Sequence, residues 1–257
     1  MVSRVFFLTA IFLQFNINLS GQITIQENGN LDVDGGKIRD VGPPTLDQDA
    51  TTKAYVDNLL LTFGISLGHT GVQGLLDGGF TINEIIAGGA NSSDFYGVMY
   101  EGGIIFHITP EGTGLVSAPV DQGDIIKWAL TAVITGASGF GIGTGQANTD
   151  SILFYNGAGN YAAYLCDTLT LNGFDDWFLP SSGELTAMWE HLADADGDSD
   201  NSGQFDPGNL GNFEPVRYWC SSEATASVAW TVNMGTGVIS GFPKLFDFYN
   251  VRAVRAF

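Results

Sequence analysis

Glycine is the residue that most constrains this chain. It occupies 35 of the 257 positions, often in pairs or at short intervals, as in "GGKIRDVGPP", "LDGGF", "IAGGA" and "GFGIGTGQ". Glycine opens turn conformations that other residues avoid, and at this density it breaks helices and strands into short pieces. The chain therefore reads as a loop-rich, β-containing fold with many turns. With 44% hydrophobic and 14% charged residues it can still bury a core, either as one large domain or as a smaller domain with appendages.

Acidic residues outnumber basic ones by 28 to 9, for a net charge of −19. Such a surface repels phosphate backbones, which argues against nucleic acid as a partner. The opening "MVSRVFFLTAIFLQFNINLSGQITI" has Arg4, an apolar run over 5–15 and then small and polar residues. That is the layout of a secretory signal, 1–21, cut near Gly21, and the run is too short to span a bilayer. No later run approaches transmembrane length. The expected location is secreted or cell-surface, with a phage virion fibre as the alternative.

Between 23 and 41 short extended pieces are broken by Asn28-Gly29 and Gly35-Gly36. After Pro43-Pro44, the residues Val56, Leu59, Leu60 and Phe63 fall at helical spacing on one stripe. The stretch "GGKIRDVGPPTLDQDATTKAYVDN" resembles the stalk segment of phage tail fibres and related bacterial surface fibres. Lys37, Ile38, Val41, Pro44, Asp49, Lys53, Tyr55 and Asp57 are among the positions in register. The resemblance covers about two dozen residues and implies a stalk over 22–63 that assembles as a homotrimer. A Gly-rich connector, 64–99, follows. Within it "VQGLLDGGFTINEIIAGGA" spaces one or two short helices ending at Gly78-Gly79 and Gly88-Gly89.

From 100 onward the pattern is continuous and globular. "GGIIFHI" and "GLVSAP" read as buried strands. "YAAYLCDTLTL" has helical spacing, and "LPSSGELTAMWEHL" opens a helix in which Ser181 and Glu184 form a capping box. A polar loop and then strands run to the end. Helices followed by an all-strand second half indicate an α+β fold rather than a doubly wound sheet.

Few residues offer chemistry. Asp194, Asp196, Asp198 and Asp200 alternate in "DADGDSDNSGQFD". They match the hard oxygen donors that calcium takes, although Ser199 and Phe205 stand where an EF-hand needs Gly and Glu. A solvated acidic loop is the competing reading. "GFGIGTGQANT" spaces glycines like a phosphate loop but lacks the Lys-Ser/Thr and the distal acid, so it reads as a surface loop. His69, His107 and His191 lie in different elements, and nothing pairs them with a cysteine or serine nucleophile. The sequence makes no positive case for an enzyme. Cys166 and Cys220 fit an exported protein as a disulfide, or equally as two buried free thiols. Trp177 and Trp219 read as core anchors.

Several of these segments, "GGIIFHI", "GIGTGQANT", "LCDTLTLNGFDDWFLPSSGELTAMW", "YWCSSE" and "VRAVRAF", carry a second resemblance. In that order they are similar to a bacterial domain shared with the C-termini of Legionella collagen-like adhesins. That domain has a C-type-lectin-like fold, also used by formylglycine-generating enzymes and phage tropism determinants. The resemblance covers 100–257. It implies paired terminal strands, with "VRAVRAF" as a central strand opposite "GGIIFHI", and Arg252 and Arg255 buried against acidic partners. It puts Leu130 where members carry a partner for the cysteine at Cys166, so a Cys166–Cys220 bridge would be a new pairing. The formylglycine enzymes' metal centre has no matching motif.

The same resemblance implies a solvent-facing, ligand-binding surface for a glycan or protein receptor. The loop after β-strand residues "SSE" would contribute Ala224, Thr225, Ala226 and Ser227, and the next strand Thr231 and Asn233. The segment before the last strand would contribute Ser240, Phe242, Pro243, Leu245, Phe246, Asp247, Phe248 and Tyr249. Clustered exposed aromatics mark contact sites, while the competing reading packs these rings beneath a loop. Some proteins with this fold are diversified by retroelements that mutate template adenines, and an AAC codon so mutated never encodes Lys, Gln, Glu, Met or Trp. Positions 224–228 and 240–249 contain none of these except Lys244. The expected function is non-covalent ligand binding by an exported surface or fibre protein; the alternative is a structural fibre or envelope protein without a ligand.

Overall fold

The computed structural model describes residues 24–25, 31–32, 68–197 and 208–257. The expected signal peptide, and the stalk 22–63 with its helix and trimer, lie outside the described residues apart from one small ladder. There β1 (Thr24–Ile25) and β2 (Leu31–Asp32) pair antiparallel, Thr24 with Asp32 and Ile25 with Leu31.

Residues Ser66–Phe257 form one unit, so from Ser66 on the segment expected as a connector is built into the domain. Its two helices end where the glycine pairs predict. Helix α1 (Gly68–Asp77) buries Val72 and Leu75, and α2 (Ile82–Ala87) buries Ile82 and Ile85 behind a Thr81–Glu84 capping box. A 3-10 turn, Ser92–Phe95, then inserts Phe95.

Two sheets make the body, confirming the mixed α+β class. One has four strands in the order β11-β5-β4-β3: β3 (Met99–Tyr100), β4 (Gly103–Ile108), β5 (Gly114–Ser117) and β11 (Val254–Ala256). The other has five in the order β6-β10-β7-β8-β9. These are β6 (Gly123–Ile126), β7 (Arg217–Glu223), β8 (Val228–Asn233), β9 (Ile239–Pro243) and β10 (Tyr249–Val251). The last strand pairs with β5, not with β4 as expected. The reason lies in the chain's C-terminus, which runs antiparallel along 114–126 as one bent ladder. Val254 faces Ser117 in one sheet, Tyr249 faces Ile126 in the other, and Ala253 O accepts from Ala118 N between them.

Arg252 sits at that crossing. It is buried, its Nε donates to Asp121, its Nη1 to the carbonyls of Ala118 and Gly211, and it lies 4.2 Å over the Phe213 ring. Arg255 is also buried: it grips Asp176 with two nitrogens at 2.6 and 3.0 Å, reaches Glu101 at 3.2 Å and covers the Phe174 ring. A buried guanidinium is tolerable only when paired in this way, and both arginines have the acidic partners expected.

Between β6 and β7 in the chain come α3 (Gly145–Asn156), α4 (Ala162–Asp167) and α5 (Ser182–Met188), the last continued by a π-turn, Trp189–Ala193. The Ser181–Glu184 capping box is present. Helix α3 corrects the reading of "GFGIGTGQANT" as a loop. Its inward positions are Gly145, Asn148, Thr149 and Ile152, spaced for a helix but mostly polar. Asn148 bonds Gly139 O and Ser221, Ser222 bonds Gly139 O, and Glu184 accepts from the N–H groups of Gly143 and Gly145. Gly145 cannot carry a side chain, because a Cβ there would stand 2.2 Å from the Glu184 carboxylate. Three separated motifs therefore meet as one buried polar lattice within the frame.

Cys166 and Cys220 are free, buried thiols, correcting the disulfide reading, and burial pushes both well above the ordinary thiol range. Trp177 and Trp219 are core anchors as expected. In the native protein neither thiol should react with a maleimide, and both should react once it is denatured. An unreduced mass lower by two hydrogens, or rapid native labelling, would contradict this arrangement.

Candidate ligand-binding face

Strand alternation sorts the five-stranded sheet into an inner and an outer face. Tyr218, Cys220 and Val232 point into the core with Phe106, Leu185, Met188 and Met234. The register pairs Arg217 with Asn233, Trp219 with Thr231, Thr231 with Ser240 and Ala229 with Phe242. These residues therefore share the outer face. Tyr249 joins them from β10, its ring 5.0 Å from Trp219 and 5.1 Å from Phe242, edge-on to both. Trp219 is fully buried beneath, its indole N–H donating to Ile126 O at 2.8 Å. The Arg217 guanidinium lies 4.8 Å over the Phe242 ring, with Nη1 3.4 Å from Thr231 Oγ1.

Two turns frame this platform. Ala224, Thr225, Ala226 and Ser227 make the tight β7–β8 turn, in which the N–H groups of Ala224 and Thr225 both bond Val228 O. The other turn, 244–248, leads into β10. Lys244 and Glu223 bind them together. Lys244 has no solvent exposure. Its backbone N–H donates to Ser227 O and its carbonyl accepts from Trp128 N. Its ammonium donates to Glu223 Oε2 at 2.7 Å and Val133 O at 3.0 Å, and sits 4.4 Å over the Trp128 ring. Glu223 also accepts from the N–H groups of Thr135 and Gly136 and from the Thr135 hydroxyl. One ion pair thus ties the 133–136 loop, the end of β7 and the 244–248 turn.

The electrostatics follow from that burial. Burial pushes the Glu223 carboxyl up, but the Lys244 ammonium and the Thr135 and Gly136 N–H groups outweigh it and hold the carboxyl below its usual range. Burial pulls the Lys244 ammonium down, and Glu223 restores only part of the loss. Elsewhere, burial raises the Glu184 carboxyl above the ordinary glutamate range despite its N–H donors.

The expected contact residues divide. Phe246 is 79% exposed and Phe248 50%, standing in solvent at the tip of the turn. Pro243, Ala224, Thr225 and Ser227 are exposed; Ala226, Ser240, Phe242, Leu245, Asp247 and Tyr249 are half-buried. Thr231 is buried, a correction: Arg217 lies over it, and its hydroxyl donates to Ser240 O at 3.0 Å. Asn233 is spent on the β8–β9 turn, accepting from Gly235 N. Sequence reasoning missed Arg217, Glu223, Trp128 and the role of Lys244. The available signal was a single lysine inside an otherwise aromatic stretch.

For calcium, Asp198 and Asp200 lie outside the described residues, Asp194 is buried and Asp196 exposed. Among the described residues no group of three or more acidic, His or Cys side chains could hold a metal. His191 stacks on Tyr96 at 3.9 Å and its Nδ1 lies 2.7 Å from Phe106 O, a structural setting. Among the described residues no helix is long and apolar enough to cross a membrane.

No family model and no curated protein matches the chain. Among solved structures it is similar to a fimbrial protein from Bacteroides ovatus, at 18% identity and a TM-score of 0.39. That match covers 55% of this chain and 35% of the other.

The Glu223–Lys244 pair should make stability depend on pH. Because Glu223 titrates lower folded than unfolded, the unfolded state binds the extra proton and stability rises with pH. The contribution is complete above the unfolded glutamate value of about 4.3 and is lost as pH falls through the lower folded value. Urea midpoints of wild type and Glu223→Gln should therefore converge on acidification. At neutral pH Lys244→Met, which strands a buried carboxylate, should cost about 3 kcal/mol, and Lys244→Met/Glu223→Gln should recover part of it. Parallel pH profiles for wild type and Glu223→Gln would overturn the assignment.

Proposed function

We propose that this is an exported surface or fibre protein whose region 100–257 is a C-type-lectin-like domain binding a glycan or protein receptor non-covalently. The trimeric stalk and the lectin-like assignment come from the sequence motifs. The observation that supports binding is the outer face of the five-stranded sheet. Phe242 and Tyr249 form a half-buried aromatic platform there, with Phe246 and Phe248 held in solvent beside it by a buried ion pair.

Two exposed phenylalanines in one short turn cost solubility without stabilising the domain, and the turn's stability comes instead from Lys244. Rigid apolar side chains displayed on a braced loop lose little entropy on binding, which suits recognition. The reading is non-enzymatic: the buried thiols are held protonated, and His191 is stacked on Tyr96 against the Phe106 carbonyl.

The proposal includes diversification of the face by a retroelement. Lys244 is the one residue between 240 and 249 that an AAC-derived codon cannot encode, and it is the buried anchor of the turn. A diversified surface needs such a position to stay fixed. Phe246 and Phe248, which such a codon can encode, stand exposed at the tip of the turn.

Phe246→Ala and Phe248→Ala should each weaken adhesion of the intact protein to its target surface by on the order of 2 kcal/mol. Their melting behaviour should change little, as for other exposed positions. A loss of stability with adhesion untouched would indicate a structural piece instead.

A further inference from the structure

The electrostatics of the face narrow the ligand, granted that the face is the binding site. Of the chain's nine basic residues, Lys127, Arg217, Lys244, Arg252 and Arg255 lie among the described residues. Lys244, Arg252 and Arg255 are each neutralised by a carboxylate. Arg217 has no ion pair among the described residues, although the chain carries 28 acidic side chains. Lys127 also lacks one, but it lies against no aromatic ring. Arg217 is instead laid on Phe242 in the middle of the aromatic platform, with Thr231 as its one side-chain hydrogen-bond partner.

That arrangement pre-orients a guanidinium. The ring beneath and the hydroxyl behind restrict its rotamers, and the remaining N–H groups stay available as a planar fork. Such a fork matches a carboxylate with two parallel hydrogen bonds. The rings beside it meet edge to face within 5.1 Å, making a shallow platform rather than a slot that would admit a protein side chain. Aromatic faces of this kind take the apolar face of a sugar ring, and the Ser240 hydroxyl and Tyr249 phenol flank them for sugar hydroxyls. The net charge of −19 disfavours a densely anionic chain, which the surrounding field would repel.

We propose that the ligand is an acidic saccharide, a glycan carrying an isolated uronic or sialic-type carboxylate, with its sugar ring against Tyr249 beside the Arg217-covered Phe242 ring and its carboxylate on Arg217. The requirement is one anionic group in an otherwise neutral glycan.

The test is calorimetric titration of the full secreted chain with uronic- and sialic-acid-terminated oligosaccharides and with their carboxyl methyl esters. The acids should bind about tenfold or more tightly than the esters, the difference that hydrogen bonds to a charged group supply. Arg217→Gln should abolish the preference, Arg217→Lys should keep only part of it, and added salt should weaken the acids alone. Circular dichroism melting checks that both variants are folded. Equal binding of acids and esters, or a preference that survives Arg217→Gln, overturns the inference. If esters and acids bind equally and Phe246→Ala abolishes both, the face remains the binding site and only the acidic ligand is wrong. If no saccharide binds and adhesion still depends on Phe246, the receptor is a protein and the inference fails.

Discussion

A lysine with no solvent exposure holds the outer face of this protein in shape. Lys244 donates to Glu223 and Val133, rests on Trp128, and through its backbone joins Ser227 and Trp128. A buried ion pair contributes little net stability compared with a packed apolar pair, but its directional bonds resist rearrangement. Here those bonds converge from the 133–136 loop, the end of β7 and the turn that follows β9. The Phe246 and Phe248 tip rides on the turn that those bonds hold.

The rest of the fold delivers those segments to one place. The C-terminal stretch runs antiparallel along 114–126, and Arg252 lets it pass from one sheet to the other without leaving a polar gap. The lattice of Asn148, Ser222, Glu184 and the Gly139–Gly145 backbone then fastens α3 and α5 to β7. Outer face and frame are separate: Asn148, Ser222, Glu184 and Arg252 find their hydrogen-bond partners inside the frame, and the rings of Phe246 and Phe248 stand in solvent outside it.

Much of this was legible from the chain. Capping at Ser181 and the glycine stops after α1 and α2 are local signals, and local interactions produce them. Arg252 and Arg255 were legible because a charge in an apolar strand must find a partner. Helix α3 was not legible, because its inward residues are Asn148 and Thr149, which bury hydrogen bonds rather than hydrophobic area and leave no apolar period. Thr231 was misplaced because a single strand's alternation does not say that an arginine two registers away will lie across it. Lys244 was visible only as an exception, since the carboxylate that explains it is 21 residues distant in sequence. Whether Cys166 and Cys220 pair could not be read at all, because spacing does not report whether two thiols meet.

The most direct test of the account is hydrogen exchange at neutral pH, comparing wild type with Lys244→Met. If the ion pair organises the face, protection should fall at the Thr135, Gly136, Trp128 and Lys244 amides and in the 224–228 turn, while β4 and β5 keep theirs. Unchanged protection in those loops, or a uniform loss across both sheets, would contradict the claim that this pair holds the outer face independently of the core.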